Sequence, residues 1–519
     1  MALFKIEDLS FTYAGEQAPA LKNISLKTQK GETVAVIGES GSGKTTLLRL
    51  LKKSISPKGE LSGSISFFGG DEISDIGFVF QNPYDQSVCE TVFEELCFAP
   101  QNLNISPDVI CARVAETCAF FGISNLVTKK LSELSGGELQ TVNLAAAAVL
   151  SPKVIVLDEP FSQLDPISTQ KFTDALRRLK DELGTSLIIS SHSIEGILPF
   201  VDKIAVLENG DLSLFGGADD VIKELRKRKN PLALTCGSLP LISDESILKT
   251  VKEARDYLYQ NDISFSPFKI ASADLGQTLM LAKNIYMRYE KHSQDILKGV
   301  TVRVKKGEVL GLCGANGSGK TTLLSVLSGA LKPYSGKVKS YGEPLYIPQD
   351  PRIAFVKETV MGDIRFMCEI SRIPLSYIDM VISSHPLFKD IERILNKHPY
   401  DLSGGELQKA VMLKALIADK DILLFDEPVK GFDPVSKAEF QEMIMSIRDE
   451  KAVVIASHDI EFLTSVCGDI AMLFGGEIIT NLPSGDFVTQ NSYFTTSLVR
   501  ASKGIQDGLI VSRQLWGEI

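Results

Sequence analysis

The sequence predicts an α/β fold built twice in one chain, and three observations predict it. GESGSGKTT at 38–46 recurs as GANGSGKTT at 314–322. LSGGELQ at 134–140 recurs unchanged at 402–408. VIVLDEP at 154–160 is matched by ILLFDEP at 422–428. Order and spacing are kept in both halves, the mark of a duplicated domain.

Each element of the copies has its own reason. TVAVI (33–37) is a short apolar strand that runs into a Gly-rich turn and then a helix, TTLLRLL. VIVLD and SLIIS are apolar and rich in β-branched residues, which suits buried parallel strands. Between the Gln-containing loops and the LSGG segments, stretches such as ARVAETCAFFGI and VISSHPLF read as helical. Each copy is therefore a core carrying a helical lobe. The domains are expected at 1–230 and 279–519, joined by a connector at 231–278. GADDVIKELRKRKN closes the first domain, and Pro231 stops its helix. Lys223, Arg226, Lys227, Arg228 and Lys229 fit a solvated helix end that suits the macrodipole, with a lipid or membrane-protein contact as the alternative. In the connector, SDESILKTVKEARDYLYQ places Ile247, Val251, Ala254 and Leu258 at helical spacing after a Ser/Asp start. That stripe is read as packing on its own domain.

Composition bounds the class. At 519 residues the chain has room for about three or four average domains. Hydrophobic residues at 44% and charged residues at 23% give an ordinary globular balance, which excludes collagen-like and largely disordered readings. The net charge of −10 opposes the basic surface that nucleic-acid binding needs. The start, MALFKIEDLS, shows no secretory pattern. No apolar run reaches the roughly 18–20 residues of a membrane span. The eight cysteines form no C-x-x-C pair, so reduced core thiols in an intracellular protein are expected.

The chemistry lies in the repeated motifs. Gly38, Glu39, Ser40, Gly41, Ser42, Gly43, Lys44, Thr45 and Thr46 carry a G-x-x-x-x-G-K-[ST] turn. Gly314, Ala315, Asn316, Gly317, Ser318, Gly319, Lys320, Thr321 and Thr322 carry it again. The glycines let backbone N–H groups curl around phosphate oxygens, and the following helix points its positive end at the same anion. Lys44 and Lys320 should reach the β- and γ-phosphates of ATP, and Thr45 and Thr321 offer a hydroxyl to Mg²⁺. Asp158 and Asp426 end apolar strands and should hold Mg²⁺. Glu159 and Glu427 follow, placed to take a proton from attacking water. The alternative, carboxylates that merely cap a helix, leaves two P-loops without the metal that phosphoryl transfer requires.

A P-loop, a Gln loop, LSGG, an apolar strand ending in Asp-Glu and a downstream His, in that order, resemble the ATP-binding cassette (ABC) ATPases over nearly the whole chain, twice. The resemblance implies a P-loop NTPase core of RecA-like form, with a helical lobe, in each half. It implies that Ser135, Gly136 and Gly137 bind the γ-phosphate of the ATP held by the other copy, and likewise Ser403, Gly404 and Gly405. Gln81 and Gln349 would touch Mg²⁺ or water, and His192 and His458 would hydrogen-bond the γ-phosphate. Asp165 and Asp433 would lie on the loop linking the two sites. Tyr13 precedes Gly38 by the same interval as Tyr289 precedes Gly314. In the family an aromatic there stacks on adenine; for an isolated tyrosine, core packing is the other reading. His292, His385 and His398 match no motif.

FVFQNPYDQSVCETVFEEL at 78–96, LSGGELQ, DEPFSQLD, DEPVKGFD and NSYFTTSLVR at 491–500 are similar to the fused two-cassette ATPases of energy-coupling-factor and cobalt-type importers. Glu138 and Glu406 depart from the usual Gln after LSGG, and Lys430-Gly431-Phe432-Asp433 differs from Ser162-Gln163-Leu164-Asp165. The unlike loops leave open whether both sites turn over equally. The resemblance implies an ATPase at the cytoplasmic face of the cell membrane. It would be peripheral, pair its cassettes within one chain and drive integral membrane transporter subunits that import a vitamin or metal ion, with no nucleic-acid partner. The rivals are a ribosome-associated tandem cassette protein, a class with a charged helical connector that this chain's LALTCGSLPLIS and mixed charges fit poorly, and a sugar-importer ATPase, a class whose second cassette is commonly degraded, whereas this one keeps every motif.

Overall fold

The computed structural model describes residues 1–162, 164–261, 263, 275–505 and 508–516. Gln163 and part of the 231–278 connector lie outside the described residues. The chain divides into two compact units, Met1–Gly237 and Ser238–Ile519.

In the first unit the strands are β1 (Ala2–Tyr13), β2 (Leu21–Gln29), β3 (Thr33–Gly38), β4 (Gly59–Phe67), β5 (Ile76–Val79), β6 (Val154–Asp158), β7 (Ser186–Ser190), β8 (Lys203–Glu208) and β9 (Asp211–Gly217). Among the described residues they form one sheet in the order β4-β1-β2-β9-β8-β3-β7-β6-β5. The run β8-β3-β7-β6-β5 is parallel. Its strands β3, β5, β6 and β7 are buried along their whole length, as parallel strands covered on both faces must be. The outer β4 is mostly exposed, as an edge strand can be. The helical lobe has its own core, in which Val92, Leu96, Val114, Leu139 and Val142 meet.

The second unit repeats the plan with β10 (Thr278–Met287), β11 (Leu297–Lys305), β12 (Val309–Cys313), β13 (Ser335–Ser340), β14 (Pro344–Ile347), β15 (Ile422–Asp426), β16 (Ala452–Ala456), β17 (Asp469–Phe474) and β18 (Glu477–Pro483). Here the described strands split into two sheets, β11-β10-β13 and β14-β15-β16-β12-β17-β18. The single bridge Lys22↔Asp211 joins the equivalent layers in the first unit.

The helix Val251–Asn261 belongs to the second unit, where Ala254 and Leu258 pack on Leu498 and Ala501. It starts at Val251, later than the Ser/Asp start expected from sequence. The reason is local: Glu253 N–H donates to Thr250 Oγ1 at 3.1 Å, and the Glu253 carboxylate accepts from Lys249 N–H and Thr250 N–H. That reciprocal cap outcompetes the upstream serine. In the helix Ala218–Lys227, Asp219 and Asp220 sit in the first turn and Arg226 and Lys227 in the last, the arrangement the macrodipole favours.

Candidate functional site

The parallel order brings the motif residues to one edge. β3 ends at Gly38, β5 is followed by Gln81, β6 ends at Asp158 and β7 is followed by His192. In an open α/β sheet the C-terminal strand ends are where ligands bind. The second unit does the same with Gly314, Gln349, Asp426 and His458.

The Gly-rich turns are built for close approach. A Cβ on Gly43 would lie 2.8 Å from the Ala20 carbonyl oxygen, and its φ of +100° is one that L side chains rarely adopt. Gly319 repeats this at φ +104°. The helices Lys44–Leu50 and Lys320–Leu327 start at these glycines with no side-chain cap and no acid in the first turn. Lys44 Nζ donates to the carbonyls of Gly38 (2.8 Å) and Glu39 (2.9 Å). Lys320 Nζ donates to those of Gly314 (2.7 Å) and Ala315 (3.3 Å). Ser42 Oγ and Ser318 Oγ are buried within the turns without a hydrogen-bond partner. Buried donors of this kind, a buried lysine and open helix N-termini fit a polyphosphate.

Next to each turn stands a buried acidic pair. Thr45 Oγ1 donates to Asp158 Oδ1 at 3.1 Å, and Thr321 bonds Asp426. A threonine hydroxyl against a strand-end carboxylate is a hard oxygen donor set suited to Mg²⁺. Burial pushes both aspartate carboxyls up from the ordinary range. Glu159 and Glu427 have φ of 45° and 50°. Glu159 Oε2 accepts from His192 N–H at 3.1 Å, while His192 Nε2 lies 3.3 Å from its Oε1. At the second site it is Nδ1 of His458 that faces Glu427, at 2.9 Å, and Ser457 Oγ also donates to Glu427 at 3.2 Å. The electrostatics differ accordingly. Burial pushes Glu159 up to about 7. Burial acts on Glu427 too, but the His458 imidazole outweighs it and holds Glu427 below the usual carboxylate range.

The remaining predicted residues fall as follows. Tyr13 and Tyr289 are 36% and 60% exposed, which excludes core packing. Their hydroxyls are tied to Thr46 Oγ1 (2.8 Å) and Thr322 Oγ1 (3.1 Å), so each ring stands beside its turn. Gln81 and Gln349 are exposed on the loops after β5 and β14. Ser135 and Ser403 are the N-caps of the helices Gly136–Ala148 and Gly404–Ile417. Asp165 and Asp433 cap the helices Pro166–Leu183 and Pro434–Ile447, accepting from Ser168 N–H (2.7 Å) and Ser436 N–H (2.8 Å).

Three residues gain a physical account that the motif did not supply. Glu138 and Glu406 are the N3 halves of capping boxes, their carboxylates accepting from Ser135 and Ser403 N–H at 2.9 Å each. Glutamate serves there as well as glutamine. Gly137 has a steric reason inside its own unit, since a Cβ would lie 2.6 Å from Ser168 Oγ. Phosphate approach is therefore not the sole ground for that glycine. Sequence reasoning missed Ser190 and Tyr346, whose hydroxyls donate to Asp158 Oδ1 (2.7 Å) and Asp426 Oδ2 (3.1 Å). Both sit on neighbouring strands outside the motifs.

A Gly-rich turn between strand and helix, a buried lysine and a strand-end Asp-Glu pair define a P-loop ATPase site, present twice. The chain belongs to the ABC transporter family, which matches residues 21–162 and 297–430, and it is a tandem-cassette ATPase. It is 36% identical to a protein of Bacillus thuringiensis provisionally named an ABC transporter ATP-binding protein, over 96% of this chain and 94% of that one. It is 29% identical to a Bacillus subtilis protein provisionally named an HMP/thiamine import ATP-binding protein, over 91% of this chain and 90% of that one. Among solved structures, an archaeal ribosome recycling factor in complex with a ribosomal stalk protein is similar in fold, with a TM-score of 0.62 and 22% identity, covering 93% of this chain and 91% of that one. No helix among the described residues is long and apolar enough to cross a membrane. No group of His, Cys, Asp and Glu among them could hold a separate metal.

Proposed function

We propose that this chain is the energy-coupling ATPase of an importer of the energy-coupling-factor type, working with separate membrane subunits to take up a small solute such as a vitamin or metal ion. The observation that carries the reading is that neither half is degraded: each keeps its own lysine, threonine, acidic pair and histidine at the C-terminal ends of its parallel strands. The relative named for HMP/thiamine import supports the solute class.

In each half Lys44 or Lys320 would leave its backbone carbonyls for the β- and γ-phosphates. Tyr13 and Tyr289 would offer a ring to adenine. Thr45, Gln81 and Asp158, and their counterparts Thr321, Gln349 and Asp426, would hold Mg²⁺, which supplies charge neutralisation to the transferring phosphoryl group. Glu159 and Glu427 would take the proton of the attacking water on a carboxylate oxygen, with His192 and His458 donating to the γ-phosphate. Ser135 and Ser403 stand at helix N-termini, and by the family resemblance each serves the nucleotide held by the other copy. The test is affinity purification from detergent-solubilised membranes with identification of the co-purifying proteins. Small integral membrane proteins are expected; a tagged chain that returns only soluble partners would overturn the transport reading.

A further inference from the structure

We propose that Tyr346 is a positioning residue of the second site, orienting the Asp426 carboxylate as Ser190 orients Asp158 in the first. Asp158 stands directly opposite Ser190 in the parallel pair β6–β7, and the short serine arm reaches it. Asp426 stands opposite Ala456 in β15–β16, so the same neighbour has no hydroxyl to give. The hydroxyl comes from the other side instead. β14 pairs with β15 so that Tyr346 is opposite Leu424, two positions before Asp426 and on its face of the sheet. That diagonal is about 7–8 Å, too far for serine and within reach of a phenol. Tyr346 donates to Asp426 Oδ2 at 3.1 Å. In the first unit the matching position, opposite Val156, is Phe78, which has no hydroxyl. Phe78 with Ser190 and Tyr346 with Ala456 are thus two solutions to one requirement, with the donor moved from one flanking strand to the other.

A carboxylate that already accepts from a threonine is fixed in orientation by a second donor, which is what outer-shell partners do for metal ligands. The inference rests on the assignment of Asp426 to the metal made above.

The experiment uses full-length Lys44→Ala protein, in which the second site is the remaining tight nucleotide site. Mn²⁺ affinity in the presence of ATP is read by paramagnetic resonance, and ATP affinity is read separately in EDTA. Tyr346→Phe should weaken Mn²⁺ by roughly 10–100-fold and leave ATP affinity in EDTA unchanged. Adding Ala456→Ser should restore most of the loss, because the hydroxyl returns from the opposite strand. Unchanged Mn²⁺ affinity in Tyr346→Phe, an equal loss of ATP affinity in EDTA, or no restoration by Ala456→Ser would overturn the proposal. Asp426→Asn separates the two readings. If it abolishes Mn²⁺ binding while Tyr346→Phe does nothing, only the tyrosine inference fails. If Asp426→Asn itself leaves Mn²⁺ affinity unchanged, the metal assignment fails and this inference with it.

Discussion

Glu159 and Glu427 occupy the left-handed region, at φ of 45° and 50°, a conformation that costs an L side chain about 1–3 kcal/mol. The sheet holds them there. Glu159 N–H donates to the Ser190 carbonyl at 3.1 Å and Glu427 N–H to that of Ala456 at 2.8 Å, while the following histidine backbone clamps each carboxylate. Left-handed residues recur at other matching positions too, such as Ser151 and Asp419, so what singles out the glutamates is a buried carboxylate next to each Gly-rich turn. Glu159→Gln should therefore keep ATP affinity and slow hydrolysis at its site by roughly 10²–10⁴, measured as turnover in a Glu427→Gln background. Lys44→Ala should weaken ATP binding itself, and an unaltered affinity by titration would remove its phosphate role. These residues were legible because their spacing repeats in the sequence. Ser190 and Tyr346 were not, because only the register of separate strands brings them to the aspartates. Glu138 was legible as a departure from the family pattern, yet S-x-x-E before an apolar run is also a capping box, and that reading explains it.

At the scale of elements, the histidine loops show how a cap and the residues behind it together decide a helix. After His458 the chain runs Asp459-Ile460-Glu461-Phe462 and forms the helix Ile460–Val466, with Phe462 N–H donating to Asp459 Oδ1 at 2.9 Å. After His192 comes Ser193, followed by Gly196 and Pro199, and the chain makes turns and a short 3₁₀ segment at Leu198–Phe200. Glycine and proline penalties outweigh the cap that serine could give. Asp459 is also paired with Lys437. Burial pushes its carboxyl up, but Lys437 and the helix N–H together hold it below the ordinary aspartate range. A depressed folded-state pKa gives stability that is full above the unfolded value, about 3.9, and is lost as pH falls through the lowered one. Asp459→Asn keeps a cap and removes the charge. Its amides over 460–466 should exchange faster than wild type at pH 7, and the gap should narrow as pH falls below the unfolded value of about 3.9 and through the lowered folded one. Asp459→Ala should lose about 1 kcal/mol more through the cap. A pH-independent gap for Asp459→Asn would show that the charge pair contributes nothing.

At the scale of the whole molecule, two ATPase cassettes and no spanning helix among the described residues leave the question of what ATP hydrolysis drives. The solved recycling factor shares the tandem architecture at 22% identity, which speaks for the fold and not for a ribosomal task. Charge speaks on the task. A chain of net charge −10 meets an RNA polyanion with an unfavourable long-range field, and ribosome binding would have to overcome it through local cations. A membrane protein partner asks for no such field, only for complementary local surface. In cells that make the membrane subunits, the chain should therefore sediment with membranes, wash off under alkaline conditions without detergent, and move to the supernatant when those subunits are deleted. Its distribution should not change when ribosomes are removed, with or without ATP. ATP-dependent co-sedimentation with ribosomal particles, persisting in the deletion strain, would replace the transport assignment with a ribosomal one.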